Sequence, residues 1–303
     1  METQFKRVCI IGIGLIGGSL GMAITERRLA AEVRGVDLDE DNLNLAVNVG
    51  AIQFGTRSLA EGVKGADLVI LATPVGTYPS IFKQLAQLLE PGTVVTDTGS
   101  TKERVISEAA EHLPTGIHFV GGHPMAGSEV AGVKGADPFL FENAVYLLTP
   151  TEDSDRETIS RLNRLFSGLG ARVMCFSPAE HDIMVAAVSH LPHLVAVTLV
   201  NTVGLLEQNH PNTLLLAAGG FRDTTRVALG SPVMWRDICK SNKAVLLDLL
   251  NRFKTQLSLL EEEIRQEDGE AITTELESAR ALRSQVPGKL KGYWPELYEI
   301  IVT

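Results

Sequence analysis

Histidine is the side chain best matched to proton transfer near neutral pH. The chain carries seven: His112, His118, His123, His181, His190, His193 and His210. His123 stands apart. It lies in Gly121-Gly122-His123-Pro124-Met125-Ala126-Gly127-Ser128, read as a glycine-rich loop after a strand. Such a loop sets an imidazole on a rigid turn at a sheet's ligand edge. His112 ends a helical stretch and His210 sits in a polar segment, so both read as surface residues; His118 precedes a strand. His190 and His193 flank Leu191-Pro192 at a spacing that suits a metal pair. No Cys or carboxylate stands at a convincing third-ligand spacing, so no metal is expected and a buried structural role fits either ring equally well. A carboxylate ligand needs the planar fork of arginine. Gly219-Gly220-Phe221-Arg222-Asp223-Thr224-Thr225-Arg226 offers two, although two solvated arginines explain the spacing better. Ser100, in Asp97-Thr98-Gly99-Ser100-Thr101-Lys102, either caps the following helix or reaches a substrate.

A second group of residues suits a dinucleotide. Gly12-Ile13-Gly14-Leu15-Ile16-Gly17 follows the β-branched run Val8-Cys9-Ile10-Ile11 and precedes a helical stretch. Gly12 permits the tight turn, Gly14 lets backbone N–H groups approach a pyrophosphate, and Gly17 lets helix and strand pack closely. Leu15 and Ile16 supply further N–H groups of that turn. Asp37 ends the next strand, twenty residues after Gly17. A carboxylate there accepts from the ribose hydroxyls of NAD and repels the extra phosphate of NADP, and no Arg follows to reverse this; an exposed loop acid beside Asp39, Glu40 and Asp41 is the alternative. Thr73, Pro74 and Thr98 close the following two strands, where ligands bind in such sheets.

The elements that must position these residues are legible. Strand and helix signals alternate through the first half: helices from Ser19, Asp41, Thr77 and Thr101, and strands ending at Asp37, Ala72, Asp97, Gly122 and Leu148. This alternation predicts an α/β Rossmann-type doubly wound parallel sheet. Near Pro178 the pattern changes. Ala179 to Gln208 is apolar with helical spacing, interrupted by Pro192, which should kink or split it. Helices are expected at Asn212–Ala218, Pro232–Lys240, Lys243–Gln266 and Gly269–Gln285. The expected domains are 1–174, holding the dinucleotide, and 175–303, all helical.

Bulk composition narrows the partners. The chain has 303 residues, 45% hydrophobic and only 5% aromatic, so the core is aliphatic. A net charge of -10 disfavours a nucleic-acid partner. Three scattered cysteines, Cys9, Cys175 and Cys239, form neither a metal cluster nor a disulfide framework and suit a reducing cytoplasm. The polar N-terminus runs directly into a strand-like segment, not a cleavable signal. No apolar run is read as long enough to span a membrane, so no membrane contact is expected.

Taken together, several segments resemble the prephenate/arogenate dehydrogenases. They are Asp97 to Lys102, His123-Pro124-Met125-Ala126-Gly127, Ser189-His190-Leu191-Pro192-His193, Gly220 to Arg226 and Met234-Trp235-Arg236-Asp237, and they stand in the family's order. The resemblance spans nearly the whole chain. It implies NAD-dependent oxidative decarboxylation of a cyclohexadienyl acid in tyrosine, hence aromatic amino acid, biosynthesis. It implies that His123 is the general base on the ring hydroxyl and that Ser100 bonds that hydroxyl or orients His123. Arg226 would hold a substrate carboxylate, and His190, His193 and Trp235 would shape the pocket. It implies an all-α second domain, similar to the C-terminal part of 6-phosphogluconate dehydrogenase, through which two copies form a homodimer. His193 leans the substrate toward prephenate and away from arogenate, and the acidic group around Asp37 leans the cofactor toward NAD. The segment Val286 to Val302 resembles the lead-in to a regulatory ACT domain; the expectation is that feedback through such a domain is missing and that tyrosine, if it inhibits, competes at the active site. A β-hydroxyacid or pyrroline-carboxylate type of dehydrogenase stays open as a rival, as does a dinucleotide-binding protein without turnover.

Overall fold

The computed structural model describes residues 4–127, 130 and 132–286. The chain opens with β1 (Phe5–Ile11), α1 (Leu15–Glu26), β2 (Ala30–Val36), α2 (Glu40–Asn48), β3 (Phe54–Thr56), α3 (Leu59–Val63) and β4 (Leu68–Leu71). It continues through α4 (Tyr78–Leu85), β5 (Val94–Asp97), α5 (Glu103–His112), β6 (His118–Pro124), β7 (Val145–Thr149), α6 (Arg156–Gly168) and β8 (Arg172–Cys175). Helices follow: α7 (Pro178–Val185), α8 (Leu191–Asn209), α9 (Gly219–Thr225), α10 (Pro232–Ser241), α11 (Lys243–Arg265) and α12 (Gly269–Ser284). Two compact units result, one running through Leu246 and the other beginning at Leu247.

The strands form one sheet in the order β3-β2-β1-β4-β5-β6-β7-β8. All neighbours are parallel except β6 and β7, which pair antiparallel. The expected doubly wound sheet is therefore mainly, not wholly, parallel. Each strand sends alternate side chains to opposite faces. Val8 and Ile10 of β1 pack with Leu20 and Ile24 of α1 and Phe166 of α6. Cys9 and Ile11, between them in sequence, pack with Tyr78 and Phe82 of α4 and Val105 of α5. Both faces are covered, which is why β4 is a continuous apolar run with all four residues buried.

The helical part departs from expectation at two places. Pro192 has no N–H to donate, and its ring crowds the carbonyl one turn back. The chain does not split into two helices there. It widens into a π turn, Ala186–His190, and then resumes as α8. Pro178–Asn209 is consequently a single helical run of 32 residues with mean hydropathy 1.9, long and apolar enough by length and composition to cross a membrane. The expectation that no apolar run reaches that length does not hold, because a π turn lets the helix run on through Pro192. The second departure is Asn212–Ala218. Asn212 adopts a left-handed conformation and only Thr213–Leu216 turns, as a 3₁₀ segment.

Five elements were not anticipated: β3, α3, α6, β8 and α9. Three-residue β3 and five-residue α3 are too short to show a period. In contrast, α6 carries a readable signal. Leu162, Leu165 and Phe166 are buried at helical spacing, and the Asp155 carboxylate accepts from the Thr158 N–H at 2.7 Å as its N-cap. Strand β8 lies in the stretch taken as the interdomain boundary; it belongs to the sheet, pairing with β7.

Candidate active site

The strand order sets the ends of β1, β4, β5 and β6 side by side. With neighbouring strands about 4.8 Å apart, three spacings put the turn after β1 roughly 14 Å from His123 on β6. That edge is the place where open α/β sheets bind ligands, and the order reverses direction between β1 and β4.

Gly12 adopts φ +96°, and a Cβ there would lie 2.7 Å from the Ala72 carbonyl oxygen. A Cβ on Gly17 would lie 1.9 Å from the Gly12 carbonyl oxygen, so α1 packs on its own turn without room for a side chain. Gly14 differs: a Cβ there meets nothing within 4 Å. Helix α1 has no side-chain cap and no acidic residue in its first turn. The N–H groups at the start of α1 thus have no side-chain cap, and the space beside Gly14 is open, which fits a dinucleotide pyrophosphate at a helix N-terminus. Asp37 holds this turn: Ile13 N–H donates to its Oδ2 at 2.6 Å, and Asp39 N–H to Oδ1 at 2.9 Å. A carboxylate has about four acceptor sites, so two stay available for ribose hydroxyls. Thr73 and Pro74 follow β4, with the Thr73 and Thr77 hydroxyls 2.8 Å apart. Thr98 closes β5 and donates its N–H to the Leu71 carbonyl at 2.9 Å. A cleft of about 300 Å³ adjoins Pro74, lined also by Arg104, Arg236, Asp237 and Lys240.

His123 is not on a loop. It lies within β6, opposite Leu147 of the antiparallel β7, and is 8% exposed. The antiparallel pairing extends the strand through the glycines that suggested a loop. Beneath it, the Asp97 carboxylate accepts N–H bonds from Gly99 at 2.8 Å and Gly122 at 3.0 Å and pairs with the ammonium of Lys102. Lys102 and Asp97 are wholly buried. His123 Nδ1 lies 2.9 Å from His181 Nε2, and His181 Nδ1 lies 2.8 Å from Asp182 Oδ1. Asp182 also accepts the N–H groups of Lys102 at 2.7 Å and Glu103 at 3.0 Å. It thereby caps α5 from another helix, so the capping role considered for Ser100 is taken and that hydroxyl is left to other partners.

Burial, and after it the nearby His181, Lys102 and His190, hold the His123 ring well below the ordinary histidine range. It is neutral at pH 7, the form a general base requires. Burial lowers Lys102 as well, against the pull of Asp97. Burial takes His190 down to about 4, although Asp182 and the Ser100 backbone oppose it.

His193 stacks on Trp235 with ring centres 3.5 Å apart, and His190 meets the same indole edge-on at 5.9 Å. Both imidazoles are buried. Neither nitrogen of His190, nor Nδ1 of His193, has a hydrogen-bond partner, although the Ser100 and Val227 backbones approach the two rings. A buried polar atom without a protein partner calls for an explanation, and a bound molecule is one. Arg226 is exposed and opens a 3₁₀ turn, Arg226–Leu229, beside Val227.

Residues 20–175 match the family model for the nucleotide-binding domain of prephenate dehydrogenase, and residues 177–278 match its dimerization domain. The chain belongs to the prephenate dehydrogenase family. A prephenate dehydrogenase of Bacillus subtilis is 38% identical over 303 residues, covering 100% of this chain and 82% of the relative. A cyclohexadienyl dehydrogenase of Zymomonas mobilis is 32% identical over 93% of this chain and 96% of its own. Among solved structures, the Aquifex aeolicus prephenate dehydrogenase in complex with hydroxyphenyl propionate and NAD+ superposes with a TM-score of 0.87 at 33% identity, covering 93% of this chain and 98% of that one. The Synechocystis arogenate dehydrogenase gives 0.76 at 30% identity, covering 92% and 99%.

Within this family fold, sequence reading missed four polar residues around His123: His181, Asp182, Lys102 and Asp97. His181 and Asp182 are adjacent, just after a Ser177–Glu180 capping box. That local signal places a helix start, but nothing in the sequence shows that His181 reaches a residue 58 positions away.

Proposed function

We propose that this chain is an NAD-dependent dehydrogenase that oxidises and decarboxylates prephenate to 4-hydroxyphenylpyruvate, a step toward tyrosine. One observation carries the reading: a buried, neutral His123 stands on the cofactor edge of the sheet in company with the buried rings of His190 and His193, the latter with no partner at Nδ1. The family match and the NAD+ complex of the Aquifex relative support it.

The N–H groups around Gly12, Gly14, Leu15, Ile16 and Gly17 would hold the pyrophosphate, Asp37 a ribose, and Thr73, Pro74 and Thr98 the flank nearer the reacting ring. The cofactor held there would supply an acceptor for the hydride of the ring carbinol carbon. His123 takes the hydroxyl proton, and Ser100 bonds the same hydroxyl. Arg226 anchors a substrate carboxylate, while His190, His193 and Trp235 wall the ring. As the carbinol becomes a carbonyl, the bond to the ring carboxylate breaks, carbon dioxide leaves, and the electron pair passes through the ring to the carbonyl oxygen, which takes a proton back from His123 to become the phenol. The new aromatic ring drives the step.

His193 supports prephenate over arogenate as substrate, and the Synechocystis likeness keeps arogenate as the second reading. Purified protein with NAD is expected to form reduced cofactor, read by its absorbance, faster with prephenate than with arogenate. Absence of turnover with both overturns the proposal. Arg226→Gln should mainly raise KM, since it removes a charge-assisted contact already made in the ground state.

Residues 1–174 serve the cofactor in this reading, and 175–303 the substrate and a second copy of the chain. Val188, Leu205, Leu215, Leu216 and Leu229 are exposed apolar residues of the helical part, and a dimer would cover such a face. The sedimentation mass should be twice 32.7 kDa. Tyrosine, sharing the product's hydroxyphenyl ring and side-chain carboxylate, would compete with substrate. A cytoplasmic setting agrees with three free cysteines and a dissociable NAD.

A further inference from the structure

We propose that His181 and Asp182 form a positioning relay that locks His123 as its Nδ1–H tautomer and leaves Nε2 bare to act as the base. This rests on the reading of His123 as the base and adds which nitrogen acts and what fixes it.

The assignment follows from donors and acceptors taken in order. Backbone N–H groups can only donate, so Asp182 accepts from Lys102 and Glu103 at the start of α5. Its Oδ1 also lies 2.8 Å from His181 Nδ1, and an ionised carboxylate only accepts, so His181 carries its proton on Nδ1. Burial holds His181 below the ordinary histidine range, with Asp182 opposing, so the ring is neutral and its Nε2 is an acceptor. His123 Nδ1, 2.9 Å from that nitrogen, must then be the donor. A neutral imidazole has one proton, so His123 Nε2 holds a lone pair. The assignment starts at two backbone amides that can only donate, and it takes Asp182 as a carboxylate and His181 as a neutral ring.

The relay is also held in place. His181 is wholly buried and Asp182 nearly so. The Ser177–Glu180 capping box fixes the turn of α7 that precedes them. Asn242 Nδ2 donates to the Asp182 carbonyl at 2.9 Å. Among the described residues, the titratable groups that act on His123 are His181 from α7, Lys102 before α5 and His190 in the π turn, while Asp182 of α7 and Asp97 ending β5 act on His181 behind it. Lys102 is satisfied by Asp97, which leaves Asp182 as the counter-charge for a proton gained by His123. The logic parallels the Ser-His-Asp triad, where an acid behind the histidine sets its tautomer and the wrong tautomer costs about 10⁴ in rate.

The test reads the tautomer directly. Long-range ¹H–¹⁵N spectra of the full chain with ¹⁵N-labelled histidine, without ligands at pH 7.5, should show His123 protonated at Nδ1 and bare at Nε2, and His181 likewise. His181→Phe removes the acceptor: the His123 proton should move to Nε2 and kcat should fall on the order of 10²-fold or more, with KM little changed. His181→Gln sets an amide oxygen near the lost Nε2 and should restore both the tautomer and most of kcat. A wild-type His123 protonated at Nε2 overturns the proposal, as does a His181→Phe protein with the original tautomer and full kcat. If the Phe variant does not fold, the wild-type and Gln spectra still decide. The two readings fail separately: a correct tautomer with a fully active His123→Asn leaves the relay standing and removes the base.

Discussion

At the residue scale, the chemistry rests on one ring in two environments. His123 Nδ1 faces His181 inside the protein, and the ring as a whole is held neutral by burial. The sign of the pH effect follows. Protonation destroys the base, and protonation requires a pH below the depressed value. The acid limb of kcat/KM should therefore lie below 6.5, the ordinary histidine value, with a plateau through neutrality. A limb centred above 6.5 would contradict a desolvated base. His123→Asn should lower kcat by about 10²–10⁴-fold, the usual contribution of a positioned base, and erase that limb. Near-normal turnover in the Asn variant would remove His123 from the role. Asp37 shows how a residue can serve twice. It fixes the glycine turn through Ile13 N–H whether or not a ribose is present, so its replacement should disturb both turn and cofactor.

At the element scale, the glycine turn separates two kinds of constraint. Gly17 is required by packing, since its Cβ would sit 1.9 Å from the Gly12 carbonyl oxygen. Gly17→Ala should lower stability by about 1–3 kcal/mol, as overpacking commonly does, and weaken NAD binding with it. Gly14 has empty space where its Cβ would go. Gly14→Ala should leave the melting temperature nearly unchanged yet weaken NAD, because the methyl occupies the approach to the pyrophosphate. Thermal melts and NAD titrations on the two variants test this; equal losses of stability would refute the distinction. The π turn is the other element of note. It lets a proline stand inside a long helix, and it carries His190 to the buried face that meets Trp235.

At the scale of the whole molecule, burial of neutral histidines couples stability to pH. His190 is held at about 4, and His123, His181 and His193 are also lowered. The unfolded chain binds protons on these rings below about 6.5, while the folded chain does not until lower pH. Stability is thus fully present above 6.5 and is lost as pH falls from there toward 4. The melting temperature should drop over that interval, and His190→Gln should shrink the drop. A flat profile between pH 7.5 and 4.5 would contradict neutral burial. The exposed apolar residues of Pro178–Asn209 belong to this scale too, since only 28% of its apolar window is buried in a single chain. A second copy is the cover that the family's dimerization domain supports.

The sequence by itself determined the local features. Glycine spacing after a β-branched run requires a tight turn and an open helix N-terminus, and alternating strand and helix signals require a layered α/β sheet. Both depend only on neighbours within a few residues. Residue types and their order were also enough to show the family resemblance. Other features were decided by the tertiary structure. The strand β7 runs antiparallel to β6, which turns an apparent glycine loop into the strand that holds His123. Pro192 is accommodated by a wider π turn just before it, so the helical run stays continuous. The roles of Ser100 and Asp182 at α5 depend on a helix nearly eighty residues away. Of the segment Val286 to Val302, read as a regulatory lead-in, all but Val286 lies outside the described residues. Proton placement on His123 is the sharpest case. Composition can supply a histidine, but which of its nitrogens is bare depends on a donor–acceptor chain through His181, Asp182 and two backbone amides, and only the fold brings those four groups together.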